Sequence, residues 1–586
     1  MSIQSELVRC FRPILESLTS DCDKYIGMIR RAGDDRFGDY QANFAMPLAK
    51  ALHKSPREIA EQISEAWTAT DFCAKPEVAG PGFLNIRINK DWLEAYLRRE
   101  LADDRLQIEP TTNPKTIVID YSAPNVAKPM HVGHIRSTSI GDSLYKVLTF
   151  IGHRVISDNH LGDWGTQFGM IIWGYRRFLD PAAYEKSPVI ELTRLYRMVR
   201  KMVDEGETVE QSDGSTISVG DAVLAETAKL HRNDPDNIEL WKSIMKTCYK
   251  EIDKVYARLN VRFDYTLGES SYQPFLGPLV EKALASGLAE ISDGAVVVFN
   301  EGIDAPFLIR KRDGAFIYGT TDLATLEYRK EHFQPDSVLY VVDSRQALHF
   351  KQLFTTWRRM DPANEKVDLR HVSFGTVMGE DGKPFKTRSG DTVGLESLLD
   401  EAESSAMAVV EQSEVCKSMS DEQRRDVARK VGIGALKYAD LSQNRDSDYV
   451  FSYQKMLAMN GNTATYMQYA YARVSSIFSK GGIDIDQFRS SAPSISIEAP
   501  EERALAIELT RFGEALDAVA VDFRPNLLTA YLFELAGRYS TFFEHCPVLK
   551  AESEVAKQTR LVLCDLTART IQKGLYLLGI DTVERM

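Results

Sequence analysis

Residues 116–158 read TIVIDYSAPNVAKPMHVGHIRSTSIGDSLYKVLTFIGHRVISD, and their pattern predicts the architecture of the central domain. It begins with Thr116–Tyr121, a nearly continuous apolar run rich in β-branched residues, which is typical of a buried parallel strand. A tight segment with two prolines follows, then a helical pattern from about Val132 to Phe150 and a second apolar strand at Arg154–Asp158. The order strand, turn, helix, strand predicts a Rossmann-type, doubly wound α/β core.

The rest of the chain divides around this unit, because 586 residues are too many for one compact core. Residues 1–110 predict a small α+β domain, with helical periodicity in Ser2–Leu18 and Pro56–Ala69 and a half-buried strand at Phe83–Ile88. The Rossmann-type domain is expected over residues 111–395, with insertions at about 165–265. Residues 396–586 predict a helical stem followed by an all-α bundle.

Two further segments carry specific expectations. The runs Ala295–Phe299 and Ser337–Val342 are predicted to be the strongest strands in the second half of the α/β domain. The stretch Asp484–Pro500 is polar and rich in Ser and Pro, which predicts a long loop between helices.

Composition excludes several classes of protein. The chain is 44% hydrophobic and 26% charged, which is ordinary for a soluble protein, and no run is long and apolar enough for a membrane helix. The N-terminus lacks the pattern of a secretory signal, so a cytoplasmic protein is expected. Seven scattered cysteines without a C-x-x-C pair make a structural zinc site or a disulfide framework unexpected. The net charge of −13 argues against a general nucleic-acid binder but leaves room for a local basic patch.

The segment His131-Val132-Gly133-His134 is the strongest candidate for a phosphate site. It lies where a helix begins, so free N–H groups and the positive end of the helix dipole face a ligand there. Two histidines three residues apart lie on one helical face, and Gly133 leaves space for a flat adenine. Such histidines are more often structural, but the preceding strand, the prolines and Lys128 favour a site for ATP.

A second candidate is the glycine-flanked segment Met378–Asp391, which contains Lys383, Lys386 and Arg388. A loop of this kind can close over a polyphosphate and neutralise developing charge. It is not a Walker loop, because the spacing is wrong and Pro384 replaces the Ser or Thr. On this segment alone a solvated surface loop is the slightly favoured interpretation.

Together the two segments resemble the signatures of class I aminoacyl-tRNA synthetases. Several long motifs in the same order resemble arginyl-tRNA synthetase more closely, and they span nearly the whole chain. These motifs are Ser122–His134, Asp158–Gly169, Lys311–Gly314, Tyr318–Ala324, Gln346–Phe350 and Gly461–Arg473. One departure is that Phe385-Lys386-Thr387-Arg388-Ser389 replaces the usual K-M-S-K-S, and in many arginine enzymes the lysine at the position of Lys128 is thought to supply the missing charge.

The resemblance implies a role for each matched residue. The catalytic residues would be Lys128, His131, His134, Lys383, Lys386 and Arg388. The ATP-binding residues would be Pro124, Val126, Ala127, Pro129, Met130, Val132, Gly133, Phe385 and Thr387. The arginine-binding residues would be Asp120, Asn125, Glu269, Tyr318, Asp322 and Gln346. The tRNA-binding residues would be Phe37, Tyr40 and Gln41 in the N-terminal domain and Tyr466, Tyr469 and Arg473, with Tyr471 as a further candidate, in the helical bundle.

An acidic pocket fits arginine chemically. A guanidinium is planar, always charged and offers five donors, so its pocket needs carboxylates in a planar arrangement. Tyr318 and Asp322 are four residues apart and lie on one helical face, while Glu269 is a further carboxylate. An uncharged substrate would leave such carboxylates unpaired, which is costly in a buried pocket. Outside the matched motifs, each of these residues would more often be a surface or capping residue.

The family's reaction is the attachment of L-arginine to the 3′ end of tRNA(Arg) through arginyl-adenylate, with ATP as a substrate and Mg²⁺ bound with it. A monomer is the family expectation, and activation of arginine often needs bound tRNA. At least one tyrosine of the bundle helix is expected to be core rather than RNA-facing. Two alternatives remain open: another class I synthetase, such as one for cysteine or glutamine, and a non-catalytic tRNA-binding or regulatory paralogue.

Overall fold

The computed structural model describes residues 3–210, 214–379, 381–383, 385 and 394–586. None of the described helices is long and apolar enough to cross a membrane. Within the same ranges, no group of three or more His, Cys, Asp or Glu is placed to hold a metal ion.

The N-terminal domain is an antiparallel sheet of order β1-β2-β4-β3 covered by helices. Its central strand Phe83–Ile86, the last of the four along the chain, alternates half-buried and buried residues as the sequence predicts. The strands are β1 Ile29–Arg31, β2 Tyr40–Ala42, β3 Glu77–Ala79 and β4 Phe83–Ile86. The helices are α1 Ile3–Glu16, α2 Cys22–Ile26, α3 Ala45–Leu52, α4 Pro56–Glu65 and α5 Lys90–Ala102.

The central domain is built on a five-stranded parallel sheet of order β14-β13-β5-β6-β9. Both faces of β5 are buried: Ile117 and Ile119 pack in the cluster that contains α6, whereas Val118 packs in the cluster that contains α12–α14. The strands are β5 Thr116–Asp120, β6 Arg154–Asn159, β9 Tyr265–Thr266, β13 Ser337–Tyr340 and β14 Asp368–His371. The helices that cover the sheet are α6 Val132–Phe150, α12 Gln273–Ala285, α13 Tyr318–Phe333 and α14 Ala347–Met360.

An insertion of helices and one hairpin separates β6 from β9. It contains α7 Thr166–Phe178, α8 Pro181–Lys186, α9 Pro188–Asp204, β7 Thr208–Glu210, β8 Thr216–Ser218, α10 Val219–His231 and α11 Pro235–Leu259. Since β13 pairs on the other side of β5 from β6, the direction of winding reverses at β5. Ligands of such sheets bind outside the carboxyl ends of the strands at this reversal.

One strand prediction was wrong in its pairing. The run at Ala295 forms a strand, but it belongs to a separate antiparallel sheet of β10 Glu290–Ser292, β11 Ala295–Val298 and β12 Phe307–Arg310. The pair Asp293-Gly294 precedes it with φ of 50° and 79°, which is the backbone of a tight hairpin turn. That dipeptide was the signal for a hairpin that the apolar run alone did not give.

The C-terminal part is helical, apart from the short strand β16 Tyr449–Val450, which pairs in parallel with β15 Val377–Met378. A six-residue helix capped by Asp484 lies within the segment predicted to be a loop, so that prediction was wrong for its first third. The helices are α15 Leu395–Gln412, α16 Glu414–Lys417, α17 Asp421–Leu441, α18 Tyr453–Met456, α19 Ala464–Gly481, α20 Ile485–Ser490, α21 Pro500–Leu509, α22 Phe512–Asp522, α23 Asn526–His545 and α24 Glu554–Leu577. The predicted fold class, a Rossmann-type core between an α+β domain and an all-α bundle, is confirmed.

Candidate active site

The chain leaves β5 through a strained turn at the reversal point. Ser122 and Ala123 both have positive φ, 72° and 45°, although neither is glycine. The Ser122 N–H donates to Ser137 Oγ at 2.8 Å, and the Ala123 N–H donates to Asn159 Oδ1 at 3.1 Å. Such backbone conformations cost on the order of 1–3 kcal/mol each and cluster at functional sites. The turn therefore fixes where the following segment crosses the carboxyl edge of the sheet.

His131 and His134 are locked by hydrogen bonds from their own helix start. His131 is the N-cap of α6, and its Nδ1 accepts from the Gly133 N–H at 3.1 Å. The His131 N–H in turn donates to His134 Nδ1 at 3.0 Å, and the two ring centroids are 3.9 Å apart. Because each Nδ1 is an acceptor, the proton of each neutral ring lies on Nε2. The pair thus offers two Nε2–H donors for phosphate oxygens.

Both rings are neutral at pH 7. Burial, together with the neighbouring His131 ring, lowers the pKa of His134 to about 3. Burial also lowers the pKa of His131, helped by the positive charge of Arg345, which pairs with Asp343 at 2.8 Å. Arg345 was not predicted, and it adds a permanent cation close to the histidines.

The second loop is anchored beside this pair. Gly394, three residues after the loop, forms an antiparallel bridge with His131. The Leu395 N–H donates to Met130 O at 2.8 Å. At the other end, the Phe385 N–H donates to Val377 O at 3.0 Å and its ring lies 5.1 Å from that of Phe451. Lys383 is exposed. The predicted residues Lys386, Thr387 and Arg388 lie outside the described residues.

The other predicted residues between Pro124 and Val132 are partly buried in the core and partly exposed on the surface. Lys128 is exposed, and its Nζ lies 4.7 Å from the centre of the Tyr196 ring in α9. Pro129 is exposed and Pro124 is buried, and the Pro124 carbonyl accepts from the Gly162 N–H at 3.1 Å. The side chains of Val126, Ala127, Met130 and Val132 are buried in the core, so only the backbone of these four is available to a nucleotide.

Glu269 is positioned by the motif around Asp163. The Asp163 carboxylate accepts from the Ser270 N–H at 2.8 Å and from Ser270 Oγ at 2.6 Å, while the Glu269 N–H donates to Leu161 O at 3.0 Å. A Cβ on Gly268 would lie 2.1 Å from Asp163 Oδ2, so the close approach requires glycine there. The motif Asp158–Gly169 therefore positions Glu269.

Glu269 lies within electrostatic reach of two further carboxylates. Burial raises the pKa of Glu269 to about 7, His160 opposes this effect, and the negative charges of Asp322 and Asp163 strengthen it. His160 itself has a buried Nδ1 without a hydrogen-bond partner among the described residues. A bound guanidinium would favour the ionised form of Glu269.

Asp322 and Tyr318 lie in the first turns of α13. His349 Nε2 lies 2.6 Å from Asp322 Oδ2, and the rings of His349 and Tyr318 are 4.7 Å apart. Tyr318 is 60% exposed, which leaves its hydroxyl accessible. His349 belongs to a quoted motif but was given no role, and its hydrogen bond now shows that it orients Asp322.

Asp120 lies deeper than predicted, in a buried ion pair. Arg329 Nη2 is 2.6 Å from Asp120 Oδ2 and 2.8 Å from Asp158 Oδ2, and all three side chains are buried. A charge-assisted pair of this kind holds β5, β6 and α13 together beneath the pocket. A direct contact between Asp120 and a ligand stays a prediction, because its carboxylate already has this partner. Arg329 lies far away in sequence, and no local pattern identified it.

Asn125 and Gln346 lie at the two sides of the same edge. Asn125 Nδ2 donates to Gln167 Oε1 at 2.6 Å, and Asn125 Oδ1 accepts from the Ala127 N–H at 3.3 Å. Gln346 is exposed at the end of a 3-10 turn that leads into α14. Gln167 was part of a quoted motif without an assigned role, and its amide fixes that of Asn125.

The predicted RNA-facing residues of the N-terminal domain differ in exposure. Phe37 is 46% exposed, and Gln41 Nε2 donates to Asn85 Oδ1 at 2.8 Å. Tyr40 is 1% exposed, and its hydroxyl donates to Glu514 Oε1 of α22 at 2.6 Å. The expectation that Tyr40 contacts RNA does not fit this burial, because its side chain joins two domains instead.

In the bundle, Tyr469 and Arg473 line a groove of about 1080 Å³ together with Phe543 and the C-terminal Met586. The Arg473 guanidinium lies 4.0 Å from the centre of the Phe543 ring. Tyr466 is half-buried with its hydroxyl 3.0 Å from Ser540 Oγ, and Tyr471 is buried with its hydroxyl bonded to Glu584. The expectation that one tyrosine of this helix is core is therefore met by Tyr471.

Three protein-family models match the chain. They are the arginyl tRNA synthetase N-terminal domain at residues 4–88, the catalytic domain of class I tRNA synthetases (R) at residues 97–453, and the DALR anticodon binding domain at residues 467–586. Together these matches account for the three parts of the fold.

Curated and solved proteins agree with these models. The chain is 44% identical to an arginine–tRNA ligase of Rhodopirellula baltica, with both chains covered completely, and 44% identical to one of Vibrio vulnificus, with 95% of each covered. The crystal structure of arginyl-tRNA synthetase from Plasmodium falciparum superposes with a TM-score of 0.84 at 27% identity, covering 100% of this chain and 99% of that one. The resemblance found in the motifs is confirmed, and the chain belongs to the arginyl-tRNA synthetase family, ligases of the class I aminoacyl-tRNA synthetases.

Proposed function

We propose that this chain activates L-arginine with ATP and transfers it to the 3′ end of tRNA(Arg), and that the residues at the carboxyl edge of the parallel sheet carry both steps. The observation that carries the proposal is the juxtaposition of two halves at this edge. Neutral histidine donors stand at the start of α6, and an acidic pocket lies between Glu269 and α13.

In the first step, a carboxylate oxygen of arginine attacks the α-phosphorus of ATP. A new oxygen–phosphorus bond forms, the bond to the bridging oxygen breaks, and pyrophosphate leaves with that electron pair. His131 and His134 donate from Nε2 to phosphate oxygens on which negative charge develops. Because their rings are fixed before ATP binds, this stabilisation needs no reorganisation during the reaction.

Four cations are candidates to neutralise the pyrophosphate: Lys128, Lys383, Lys386 and Arg388. Lys128 rests on the Tyr196 ring, from which a flexible lysine can swing when phosphates arrive. Phe385 packs against Phe451 and Gly394 bridges to His131, so the ends of the segment that carries these residues are held near the start of α6. Thr387 would contribute a hydroxyl, and Mg²⁺ would enter with ATP through phosphate oxygens and water.

The acidic pocket selects the side chain of arginine. Glu269 and Asp322 supply carboxylates for the guanidinium, and the hydroxyl of Tyr318 supplies a further hydrogen bond. Asn125 and Gln346 would hold the α-amino and carboxylate groups. A neutral amino-acid side chain would offer no positive charge to the carboxylates of Glu269 and Asp322, so its complex would lack these ion pairs.

In the second step, the 2′-hydroxyl of the terminal ribose attacks the carbonyl carbon of arginyl-adenylate, and AMP leaves with the bond electrons. The tRNA would lie across the N-terminal domain near Phe37 and Gln41. Its anticodon would stack in the groove of Tyr469 and Arg473, since unstacked bases of RNA loops are read by aromatic and guanidinium planes. The chain would act as a monomer in the cytoplasm.

Exchange of pyrophosphate into ATP, measured with each amino acid and with or without tRNA(Arg), tests the proposal. We expect exchange with arginine alone among the amino acids, and only when tRNA is present. Exchange with cysteine or glutamine would replace it with another class I activity. No exchange with any amino acid in the presence of tRNA, together with retained tRNA binding, would identify a non-catalytic paralogue.

A further inference from the structure

Arg136 is a buried arginine on the helix that carries the phosphate donors. It lies two residues after His134 in α6 and is 1% exposed. Its Nε is 2.8 Å from Asp440 Oδ1 of α17, and that carboxylate is buried as well. The approach is a close charge contact rather than an aligned hydrogen bond. The proposed catalysis gives this pair no role.

The same guanidinium holds the backbone that leads into the second loop. Arg136 Nη1 donates to Gly375 O at 2.7 Å and to Ser447 O at 3.1 Å. A Cβ on Gly375 would lie 2.7 Å from Ser447 O, so the two backbone segments approach as closely as glycine permits. Two residues after Gly375, the chain enters β15, which ends where the loop begins. Arg136 therefore joins the start of α6, the strand entering the loop and the chain that follows α17.

A second buried ion pair joins the same two helices with the charges exchanged. Lys437 of α17 lies 3.6 Å from Asp142 of α6, and its Nζ donates to Leu259 O at 2.6 Å and Gly579 O at 2.8 Å. Lys146, also in α6, approaches the same Asp142 carboxylate at 2.6 Å. Two such pairs fix both the distance and the register of α6 against α17.

Another part of the α17 surface packs against α19, the helix that carries Tyr469 and Arg473. Gln468 Nε2 of α19 donates to Lys430 O of α17 at 3.2 Å. At the other end, the Tyr438 hydroxyl donates to Asn462 Oδ1 at 2.7 Å, just before α19 begins. A continuous set of contacts thus runs from the groove through α17 to the phosphate donors.

Buried ion pairs of this kind add little net stability compared with apolar side chains of similar volume, and their best-attested use is to fix geometry. We propose that Arg136 is a positioning residue that couples RNA binding at the groove of α19 to the His131–His134 site and the loop entrance, through Asp440 of α17. The inference rests on the proposed function, because it assigns the groove to tRNA and the histidines to ATP. Coupling of two sites is reciprocal, so ATP must then strengthen tRNA binding by the same factor that tRNA strengthens ATP binding.

The test uses the full chain and tRNA(Arg) without its 3′-terminal CCA, so that the RNA cannot enter the catalytic site itself. Its Kd is measured with and without an ATP analogue whose α,β-bridging oxygen is a methylene group. We expect the analogue to strengthen tRNA binding by about fivefold or more in the wild type, at the low end of usual coupling factors. In the double variant Arg136→Met/Asp440→Leu, which removes both charges together, the factor should fall below about twofold.

A matched control is Arg560→Met/Glu502→Leu, which removes a buried pair of 2.8 Å inside the bundle. It should keep the wild-type factor. A merely structural role of Arg136 would change the separate affinities for tRNA and analogue or the Tm but leave the factor intact, and that result would overturn the inference. So would a wild type without coupling. Pyrophosphate exchange by the wild type, measured in parallel, reports the proposed function separately, because it can succeed whichever way the coupling result falls.

Discussion

The phosphate half and the acidic half of the site share one sheet edge but are stabilised in opposite ways. His131 and His134 are neutral and have their Nδ1 atoms hydrogen-bonded within their own helix turn. Burial raises the pKa of Glu269 to about 7, and the negative charge of Asp322 adds to this shift. In the proposed function, the phosphate half is thus formed before ATP binds, whereas the acidic half would be completed by the positive charge of arginine. Changes in the first should lower the rate, and changes in the second should lower affinity for arginine.

The largest expected effect is on the phosphate half. His134→Ala removes one preorganised donor and also the acceptor of the His131 N–H, so kcat for pyrophosphate exchange should fall by about 10²- to 10³-fold. The KM for arginine should stay within about twofold. His153→Ala is a matched control at a histidine whose Nδ1 also accepts a backbone N–H, that of Lys115, away from the site. An arginine KM that rises in parallel with the loss in kcat would remove the distinction between the halves.

Asp322→Asn should produce the next largest effect, on the acidic half. The guanidinium loses a carboxylate, and His349 loses a charged partner, at a cost of roughly 3 kcal/mol or about 100-fold in kcat/KM for arginine. The KM for ATP should not change. Asp368→Asn, at an exposed carboxylate on edge strand β14, is the control. A loss confined to kcat, with arginine affinity intact, would contradict the assignment of Asp322 to the pocket.

Glu269→Gln should change the pH dependence of arginine binding. The pKa of Glu269 is raised to about 7 in the free protein, so below that pH arginine must displace a proton, and its KM should rise about tenfold per pH unit as pH falls from 7 towards 5. In the variant this slope should vanish, and KM at pH 8 should be about tenfold above that of the wild type. The comparison requires KM for arginine at several pH values.

Glu100→Gln is the matched control for this change. Glu100 is fully buried between domains, and burial raises its pKa to about 8. Because a raised pKa favours the protonated folded state, this carboxyl stabilises the fold below pH 4.5, and that contribution is lost as pH rises through 8. The variant should therefore have a higher Tm than the wild type at pH 9 and an unchanged pH slope of the arginine KM. A slope altered equally in both variants would mean that it reports folding rather than the pocket.

The smallest expected effect is that of Tyr318→Phe. It removes one exposed hydroxyl and keeps the ring against His349, so kcat/KM for arginine should fall by about fivefold, the size of one ordinary hydrogen bond. Tyr265→Phe changes another exposed tyrosine, outside the proposed pocket, and should have no effect. A loss of 100-fold at Tyr318 would show that the acidic half depends on more than charge.

Local patterns in the sequence were sufficient to predict the architecture and the helix start that carries His131 and His134. The strand–turn–helix order and the spacing of His131 and His134 depend on neighbouring residues, so the strand β5 and the start of α6 could be predicted from the local sequence. Pairing partners are not local. Arg329 forms an ion pair with Asp120, 209 residues away, and Glu514 accepts a hydrogen bond from Tyr40, 474 residues away. Ala295 formed a strand as predicted, but only its tertiary surroundings decide which sheet it joins. Sequence therefore identified side chains with the right chemistry and could not tell which were already engaged.

The buried arginine beneath the pocket also has a consequence for biosynthesis. Asp120 and Asp158 lie at the ends of neighbouring strands, but Arg329, which pairs with both, follows Asp158 by 171 residues. At about 5–20 residues per second, a ribosome needs roughly 10–35 s to synthesise that interval. During this time, pairing of β5 with β6 would bring the Asp120 and Asp158 carboxylates together without Arg329 between them. The parallel sheet should therefore close late in translation, once α13 has emerged, while the N-terminal domain can fold well before it.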